Sequence, residues 1–156
     1  MLCGMEQRAF VIRPAQADDG AAVAAVYGPY ARDTAVSFEV EPPTGAVMAE
    51  RITGTLGTHP WLVAERESVV VGFAYAGKHS QRAAYRWTVD VTVYVRDTER
   101  RTGVGRQLYQ VLLATLRVQG FRSAFAEIVL PNLGSVRLHE AMGFRHVGST
   151  MTSATS

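Results

Sequence analysis

The chain has 156 residues and a mass of 17.0 kDa, the size of one domain. Its composition is 47% hydrophobic and 19% charged, which supports a buried core and excludes a disordered chain. The net charge of +2 gives no argument for a nucleic-acid partner. No stretch approaches the ~20 apolar residues of a membrane span. With Cys3 as the single cysteine and no signal-peptide pattern, we expect a cytoplasmic protein.

The pattern of apolar, capping and turn residues predicts alternating strands and helices along the whole chain. Asp18 or Asp19 caps the first predicted helix and Thr44 the second, and Gly54 and Gly57 end the second. The predicted elements are, in order, a strand at Ala9–Arg13, a helix from Ala21 to about Tyr30, a helix to about Ile52, strands at Trp61–Glu65, Val69–Ala76 and Trp87–Val95, a helix from Val104 to Gln119, a strand at Ser123–Val129 and a helix at Ser135–Met142.

The most informative segment lies between the strand Trp87–Val95 and the helix that follows it. It reads Arg-Arg-Thr-Gly-Val-Gly-Arg over residues 100–106. Two glycines let backbone N–H groups turn toward one point, and the helix N-terminus and the arginines add positive charge there. The segment therefore predicts a pyrophosphate-binding loop, although a turn of solvated arginines is the alternative.

Two common phosphate-binding loops do not fit this segment. A Walker loop needs Gly-Lys-Ser/Thr, which is absent, and a dinucleotide fingerprint needs a third glycine where Leu108 stands. The remaining pattern, Arg-x-x-Gly-x-Gly, resembles the acyl-CoA pyrophosphate loop of the GCN5-related N-acetyltransferases (GNAT). The order of elements is also the order found in that family.

The chain resembles the phosphinothricin acetyltransferase subfamily over nearly its whole length. The segments that carry the resemblance include Tyr27–Tyr30, Val36–Glu39, Pro60–Glu65, Gly72–Gly77, Tyr85–Thr88, Thr92–Val95, Arg101–Gly105, Leu130–Asn132 and Ser135–Phe144. The resemblance implies an α/β (α+β) acyl-CoA N-acyltransferase fold, with a mixed, mostly antiparallel sheet flanked by helices. It also implies one domain over residues 1–156, with a core at 8–148 and a polar tail at 149–156.

The resemblance implies an N-acetyltransferase that binds acetyl-CoA as co-substrate and no metal. Members of the subfamily transfer acetyl to the α-amine of phosphinothricin, methionine sulfoximine or related amino acids, by direct attack in a ternary complex. A homodimer and a small-molecule amine acceptor are expected as partners, without nucleic acid or membrane. Two alternatives stay open: an acyl-CoA-binding protein with impaired catalysis, and an acetyltransferase for a protein N-terminus or a polyamine.

By resemblance, the pyrophosphate loop and the neighbouring strand hold acetyl-CoA. The predicted cofactor residues are Val93, Tyr94, Val95, Arg100, Arg101, Thr102, Gly103, Val104, Gly105, Arg106, Asn132 and Ser135. Backbone groups of the strand contact the pantetheine arm, and N–H groups near Tyr94 and Val95 stabilise the oxyanion. Ser135 binds pantetheine or only caps its helix.

Two residues are predicted to move protons. Asp90 occupies the position where the subfamily carries a glutamate on the central strand, so it is the candidate base, acting directly or through water. An outward-facing polar residue is the alternative. His139 stands where the subfamily has been assigned a catalytic histidine, and a structural histidine is the alternative.

The acceptor residues are predicted from the loop after the first helix and from strands that face it. They are Phe38, Glu39, Tyr75, Lys78, Arg82, Tyr85 and Trp87. Lys78 and Arg82 offer cations for an acidic acceptor, or belong to a solvated turn. Family chains continue past Phe144 through two antiparallel strands, whereas this chain ends in a polar segment. We therefore expect the last strand to be missing and the acceptor pocket to be altered.

Overall fold

The computed structural model describes residues 9–33, 42–79, 86–99, 102–126 and 133–145. Their elements are β1 (Val11–Pro14), α1 (Gly20–Asp33), α2 (Gly45–Leu56), β2 (Trp61–Arg66), β3 (Val69–Lys78), β4 (Thr88–Val95), α3 (Val104–Val118), β5 (Ser123–Phe125) and α4 (Leu133–Ala141). Short 3-10 turns precede α1 at Ala17–Asp19 and follow β4 at Asp97–Glu99.

The strands form one five-stranded sheet in the order β1-β2-β3-β4-β5. The first four strands pair antiparallel with their neighbours, and β5 pairs parallel with β4. A β-bulge between Ala64 and Glu65 shifts the register of β2 against β3. The predicted mixed, mostly antiparallel sheet is confirmed.

The sheet has a hydrophobic core on each face, because successive side chains of a strand point to opposite sides. One core, the α3 face, joins residues such as Val89 and Val91 of β4 to Leu108 and Leu112 of α3. The other core, the α1 face, joins aromatic residues of β2, β3 and β4 to α1 and α2. Its aromatic members are Tyr27, Tyr30, Trp61, Phe73, Tyr75 and Tyr94.

Helices α1 and α2 approach each other closely at two glycines. A Cβ atom on Gly20 would lie 2.4 Å from the carbonyl oxygen of Gly45, and a Cβ atom on Gly45 would lie 2.9 Å from Cα of Ala21. Only glycine fits at both positions without moving a helix backbone. This contact fixes the two helices as one layer over the aromatic core.

The helix ends follow the predicted caps in part. The Thr44 hydroxyl accepts a hydrogen bond of 3.2 Å from the Val47 N–H, as predicted for an N-cap. Gly120 and Gly143 follow α3 and α4 with positive φ angles of 99° and 94°, as expected for helix-ending glycines. Gly54 does not end α2, which runs to Leu56.

Candidate active site

Helix α3 begins at a glycine in the left-handed conformation. Gly103 has a φ angle of 92° and is the N-cap of α3. The first hydrogen bond across the helix start joins the Gln107 N–H to the Gly103 carbonyl at 3.0 Å. The N–H groups of the preceding residues of the turn therefore have no acceptor within the helix and are available to an anion. Arg106 lies exposed in this first turn and adds positive charge.

The entry to the loop is held by a chain of side-chain contacts. The Thr102 hydroxyl donates to the Glu99 carbonyl at 2.6 Å and lies 3.1 Å from the Glu99 carboxylate. That carboxylate also accepts a 3.1 Å hydrogen bond from Arg66 of β2, and both side chains of this ion pair are mostly buried. The side chain of Thr102 thus fixes the position of the loop through Glu99 and Arg66.

The backbone of β4 presents polar groups on the edge that faces β5. The Arg96 N–H donates to the Val71 carbonyl at 2.9 Å. Hydrogen-bonded and non-hydrogen-bonded residue pairs alternate along an antiparallel ladder, so this bond shows which residues of β4 bond to β3. The N–H and C=O of Tyr94 therefore face β3, and those of Val93 and Val95 face the opposite edge. Within the described residues, β5 pairs with β4 only at Thr88–Asp90.

One of these edge groups already has a partner. The Tyr30 hydroxyl of α1 donates a 2.6 Å hydrogen bond to the Val95 carbonyl. The other groups on this edge are the Val95 N–H and both backbone groups of Val93. Among the predicted oxyanion donors, Val95 N–H faces the β5 edge and Tyr94 N–H does not. The sequence carried no signal for the role of Tyr30.

Asp90 lies on the α1 face of β4 and is exposed, with 53% of its side chain accessible. Gly77 stands directly opposite it on β3, so its side-chain neighbours on β3 are the diagonal residues Tyr75 and His79. Oδ1 of Asp90 lies 2.7 Å from Nδ1 of His79, and the two atoms share a hydrogen bond. The sequence pattern carried no signal for this contact, because it joins residues on two different strands.

His139 lies on the other side of the sheet, buried between α3 and α4. Its Nε2 atom is 2.5 Å from the hydroxyl of Tyr109, and its ring packs edge-on against Phe144. Burial raises the pKa of the Tyr109 phenol well above its usual range, and the charge of Tyr94 adds to this. The phenol therefore stays protonated, and its hydroxyl shares a buried hydrogen bond with Nε2 of His139.

A cavity of about 250 Å³ opens on the α1 face beside these strands. Most of its lining is aromatic: Tyr27, Met48, Arg51, Gly54, Thr55, Trp61, Phe73, Tyr75 and Tyr94. The Nε1 atom of Trp61 is buried and has no hydrogen-bond partner among the described residues. A buried donor without an acceptor is costly, so this wall of the cavity is suited to a polar ligand atom.

Two predicted acceptor residues are not brought to this cavity. Lys78 pairs with Val89, so its side chain belongs to the α3 face. The pKa of His59 is lowered mainly by burial, and the charge of Lys78 lowers it further. Trp87 lies before the start of β4, 44% exposed, and packs under the guanidinium of Arg86. Tyr75 alone of the described acceptor residues lines the cavity.

Several predicted site residues lie outside the described part of the chain. They are Phe38, Glu39, Arg82, Tyr85, Arg100, Arg101 and Asn132. Ser135 falls in the first turn of α4, but its side chain is outside the description as well. In the described ranges, no group of three His, Cys, Asp or Glu side chains is placed to hold a metal ion, and no helix is long and apolar enough to cross a membrane.

Comparison with known proteins gives the family. Residues 12–152 match the family model for an acetyltransferase (GNAT) domain. The chain is 46% identical over 144 residues to phosphinothricin N-acetyltransferase of Streptomyces viridochromogenes, covering 92% of this chain and 79% of that protein. It is 38% identical over 91 residues to the L-methionine sulfoximine/L-methionine sulfone acetyltransferase of Pseudomonas aeruginosa, covering 58% of this chain and 53% of that protein.

A solved structure supports the same assignment. The crystal structure of a phosphinothricin acetyltransferase from Sinorhizobium meliloti in complex with acetyl-CoA superposes with a TM-score of 0.85 at 32% identity. The match covers 89% of this chain and 76% of that one. The chain therefore belongs to the GNAT family of acetyltransferases. It is an acetyl-CoA-dependent N-acetyltransferase, and the loop at the start of α3 and the edge of β4 fit such a co-substrate.

Proposed function

We propose that the protein acetylates the α-amine of a small amino acid with a polar, oxygen-bearing side chain, of the phosphinothricin or methionine sulfoximine type. One observation carries the proposal: a solvent-accessible carboxylate, Asp90, neighbours Tyr75 at the aromatic cavity on the α1 face. The similarity to acetyltransferases for these two acceptors supports the choice of acceptor class.

The chain's own groups divide the work between the two faces of β4. The α3 N-terminus and Arg106 bind the pyrophosphate, and the backbone of Val93 and Val95 aligns the acyl-carrying arm along the strand. The Val95 N–H is available to stabilise the oxyanion that forms at the thioester carbonyl. Acetyl-CoA supplies the activated acyl group. The arrangement supports direct attack by the acceptor amine.

Asp90 promotes loss of a proton from the acceptor, whose amine is mostly protonated at neutral pH and cannot attack until it is neutral. On the opposite face, His139 is the candidate that returns a proton to the leaving thiolate. Its ring is held in place by the buried hydrogen bond to Tyr109.

The cavity on the α1 face is suited to the acceptor side chain. Its aromatic walls pack against methylene groups, while the Trp61 Nε1–H offers a donor to an oxygen atom. Arg51 lines the same cavity and brings a positive charge to it. An acceptor with an oxyanion or a sulfone-type oxygen at the end of a short chain matches this combination.

One activity screen tests the proposal. Acetyl-CoA is mixed with the protein and a panel of amino acids that includes phosphinothricin and methionine sulfoximine, and the free thiol of CoA is measured. We expect turnover with the two oxygen-rich acceptors and little with leucine or with a polyamine. Asp90→Asn is expected to lower kcat by about 10²-fold while acetyl-CoA still raises the melting temperature. Turnover confined to polyamines or peptide N-termini would assign another acceptor class.

Three expectations from the sequence stay predictions: the homodimer, the cytoplasmic location and the single domain over residues 1–156. Light scattering on the purified protein tests the first of these. A mass that stays at 17.0 kDa at high protein concentration would contradict the dimer.

A further inference from the structure

His79 and Asp90 form a directly hydrogen-bonded pair on the α1 face of the sheet. Nδ1 of His79 lies 2.7 Å from Oδ1 of Asp90. His79 directly follows the last residue of β3, and it is the diagonal neighbour of Asp90 across Gly77. Because Gly77 has no side chain and a Cβ there would meet nothing within 4 Å, the space between the two groups is open. The pairing therefore depends on the β3–β4 register.

The imidazole ring is also held from a third strand. Phe125 of β5 pairs with Asp90 in the parallel ladder, and its ring stacks on His79 with centroids 4.7 Å apart and planes inclined by 18°. The ring of His79 is thus fixed in plane by Phe125 and in rotation by Asp90. An imidazole on an ordinary surface turn has neither constraint.

This arrangement has the chemistry of a base and its orienting partner. Imidazole is the side chain that ordinarily titrates between about pH 5 and 8, where a carboxylate is a weak proton acceptor. A carboxylate that accepts from Nδ1–H places the lone pair of the neutral ring on Nε2 and stabilises the imidazolium that forms on protonation.

We propose that His79 accepts the proton lost by the acceptor ammonium, and that Asp90 is its positioning partner; this rests on the function proposed above. In the step, the ammonium gives one proton to Nε2 of His79. The neutral amine nitrogen then forms a bond to the thioester carbonyl carbon, and the carbon–sulfur bond breaks. The second proton leaves the nitrogen as the amide forms and ends on the thiolate of CoA. The imidazolium returns its proton to solvent.

The chain offers a matched control in His59. Its ring also stacks on a phenylalanine, Phe121, with centroids 5.5 Å apart, and its Nδ1 atom lies 2.7 Å from the hydroxyl of Thr58. It has a hydroxyl where His79 has a carboxylate, and Phe121 belongs to the α3-face core. Loss of this histidine removes a stacked ring without touching the proposed base.

The test compares His79→Ala, Asp90→Asn, the double variant and His59→Ala in the full chain. With an acceptor that the wild type acetylates, His79→Ala is expected to lower kcat by about 10²-fold and leave the KM for acetyl-CoA unchanged. Added imidazole should stack on Phe125 and raise the kcat of His79→Ala by about tenfold or more, because it supplies the missing base. The kcat of the double variant should lie within about threefold of the kcat of His79→Ala, because both changes disable the same pair of residues. His59→Ala should keep its rate.

A second readout needs no turnover. In ¹⁵N-labelled protein without acetyl-CoA, NMR should show a downfield proton on one histidine Nδ1 that disappears in His79→Ala and in Asp90→Asn but persists in His59→Ala. An absent signal, a His79→Ala variant that keeps kcat within about threefold, or a loss that imidazole does not restore would each overturn the role of His79. A wild type that binds acetyl-CoA and acetylates no amine in the panel overturns the proposed function as well, so the two failures are distinct.

Discussion

The hydroxyl of Tyr109 lies 2.5 Å from Nε2 of His139, and this contact joins α3 to α4 in the interior. Both residues are buried, Tyr109 completely. Leu138 contacts the same helix at Gly105, where an added Cβ would lie 3.3 Å from its side chain. The start of α3, which follows the proposed pyrophosphate loop, is therefore anchored by α4.

Tyr109→Phe is expected to lower the free energy of unfolding by about 1–3 kcal/mol, because it removes the hydroxyl that is hydrogen-bonded to the buried Nε2 atom of His139. Urea unfolding at pH 7 measures this. The double variant Tyr109→Phe/His139→Leu should recover part of the loss, since both polar partners are then replaced by apolar groups. A double variant less stable than the sum of the single changes would show that the hydrogen bond does not account for the cost.

Gly103→Ala is expected to weaken acetyl-CoA binding by about tenfold or more, because a Cβ in the left-handed conformation costs roughly 1–2 kcal/mol. The Cβ itself meets no atom within 4 Å, so the effect comes from the backbone conformation and not from a clash. Calorimetric titration with acetyl-CoA gives the dissociation constant. Gly57→Ala, at a φ of −63° at the end of α2, is the matched control and should bind normally.

Trp61→Phe is expected to raise the KM for the acceptor by about fivefold to tenfold, the value of one hydrogen bond near 1 kcal/mol. The affinity for acetyl-CoA should not change. Apart from the packing lost with the smaller ring, the ligand-free variant should be as stable as the wild type. The reason is that it removes a buried donor that has no partner among the described residues. An unchanged acceptor KM would assign Trp61 to packing alone.

Asp19→Asn is expected to destabilise the protein at neutral pH by about 1.5–3 kcal/mol, the value of charged hydrogen bonds. The Asp19 carboxylate accepts hydrogen bonds of 2.8 and 2.9 Å from Arg13, and these hold its pKa below the usual value against the opposing effect of burial. A lowered pKa in the folded state gives stability that is present above the unfolded pKa of about 3.9 and is lost as the pH falls through the folded value. Urea unfolding at pH 7 and at pH 3 should show the two proteins converging in acid.

The sequence predicted the elements well where local chemistry decides them. The sequence predicts an apolar stripe on α3, whose members Val104, Leu108, Leu112 and Leu116 are buried, while its members Val111 and Thr115 are half-buried. Gly54 was predicted to stop α2, but one glycine costs a helix only about 1 kcal/mol, and α2 continues through it to Leu56.

The site was predictable where a motif lies in one segment and not where residues meet across strands. The glycine loop before α3 follows from neighbouring residues. The contact of His79 with Asp90 depends on the register of β3 and β4, which sequence spacing does not give. The same register sends Lys78 to the opposite face from Asp90, because a shift of one residue along a strand reverses the side. The pairing of His139 with Tyr109 requires helix packing over 30 positions of sequence.

The two faces of β4 have separate surroundings, with the aromatic core covered by α1 and α2 on one side and the core covered by α3 on the other. The sheet thus separates two compartments. If the acceptor binds the aromatic compartment as proposed, substitutions there are expected to alter the shape offered to a new amine and to leave acetyl-CoA binding intact. Such a partition allows acceptor preference to diverge among relatives without rebuilding the half of the protein that recognises the acyl donor.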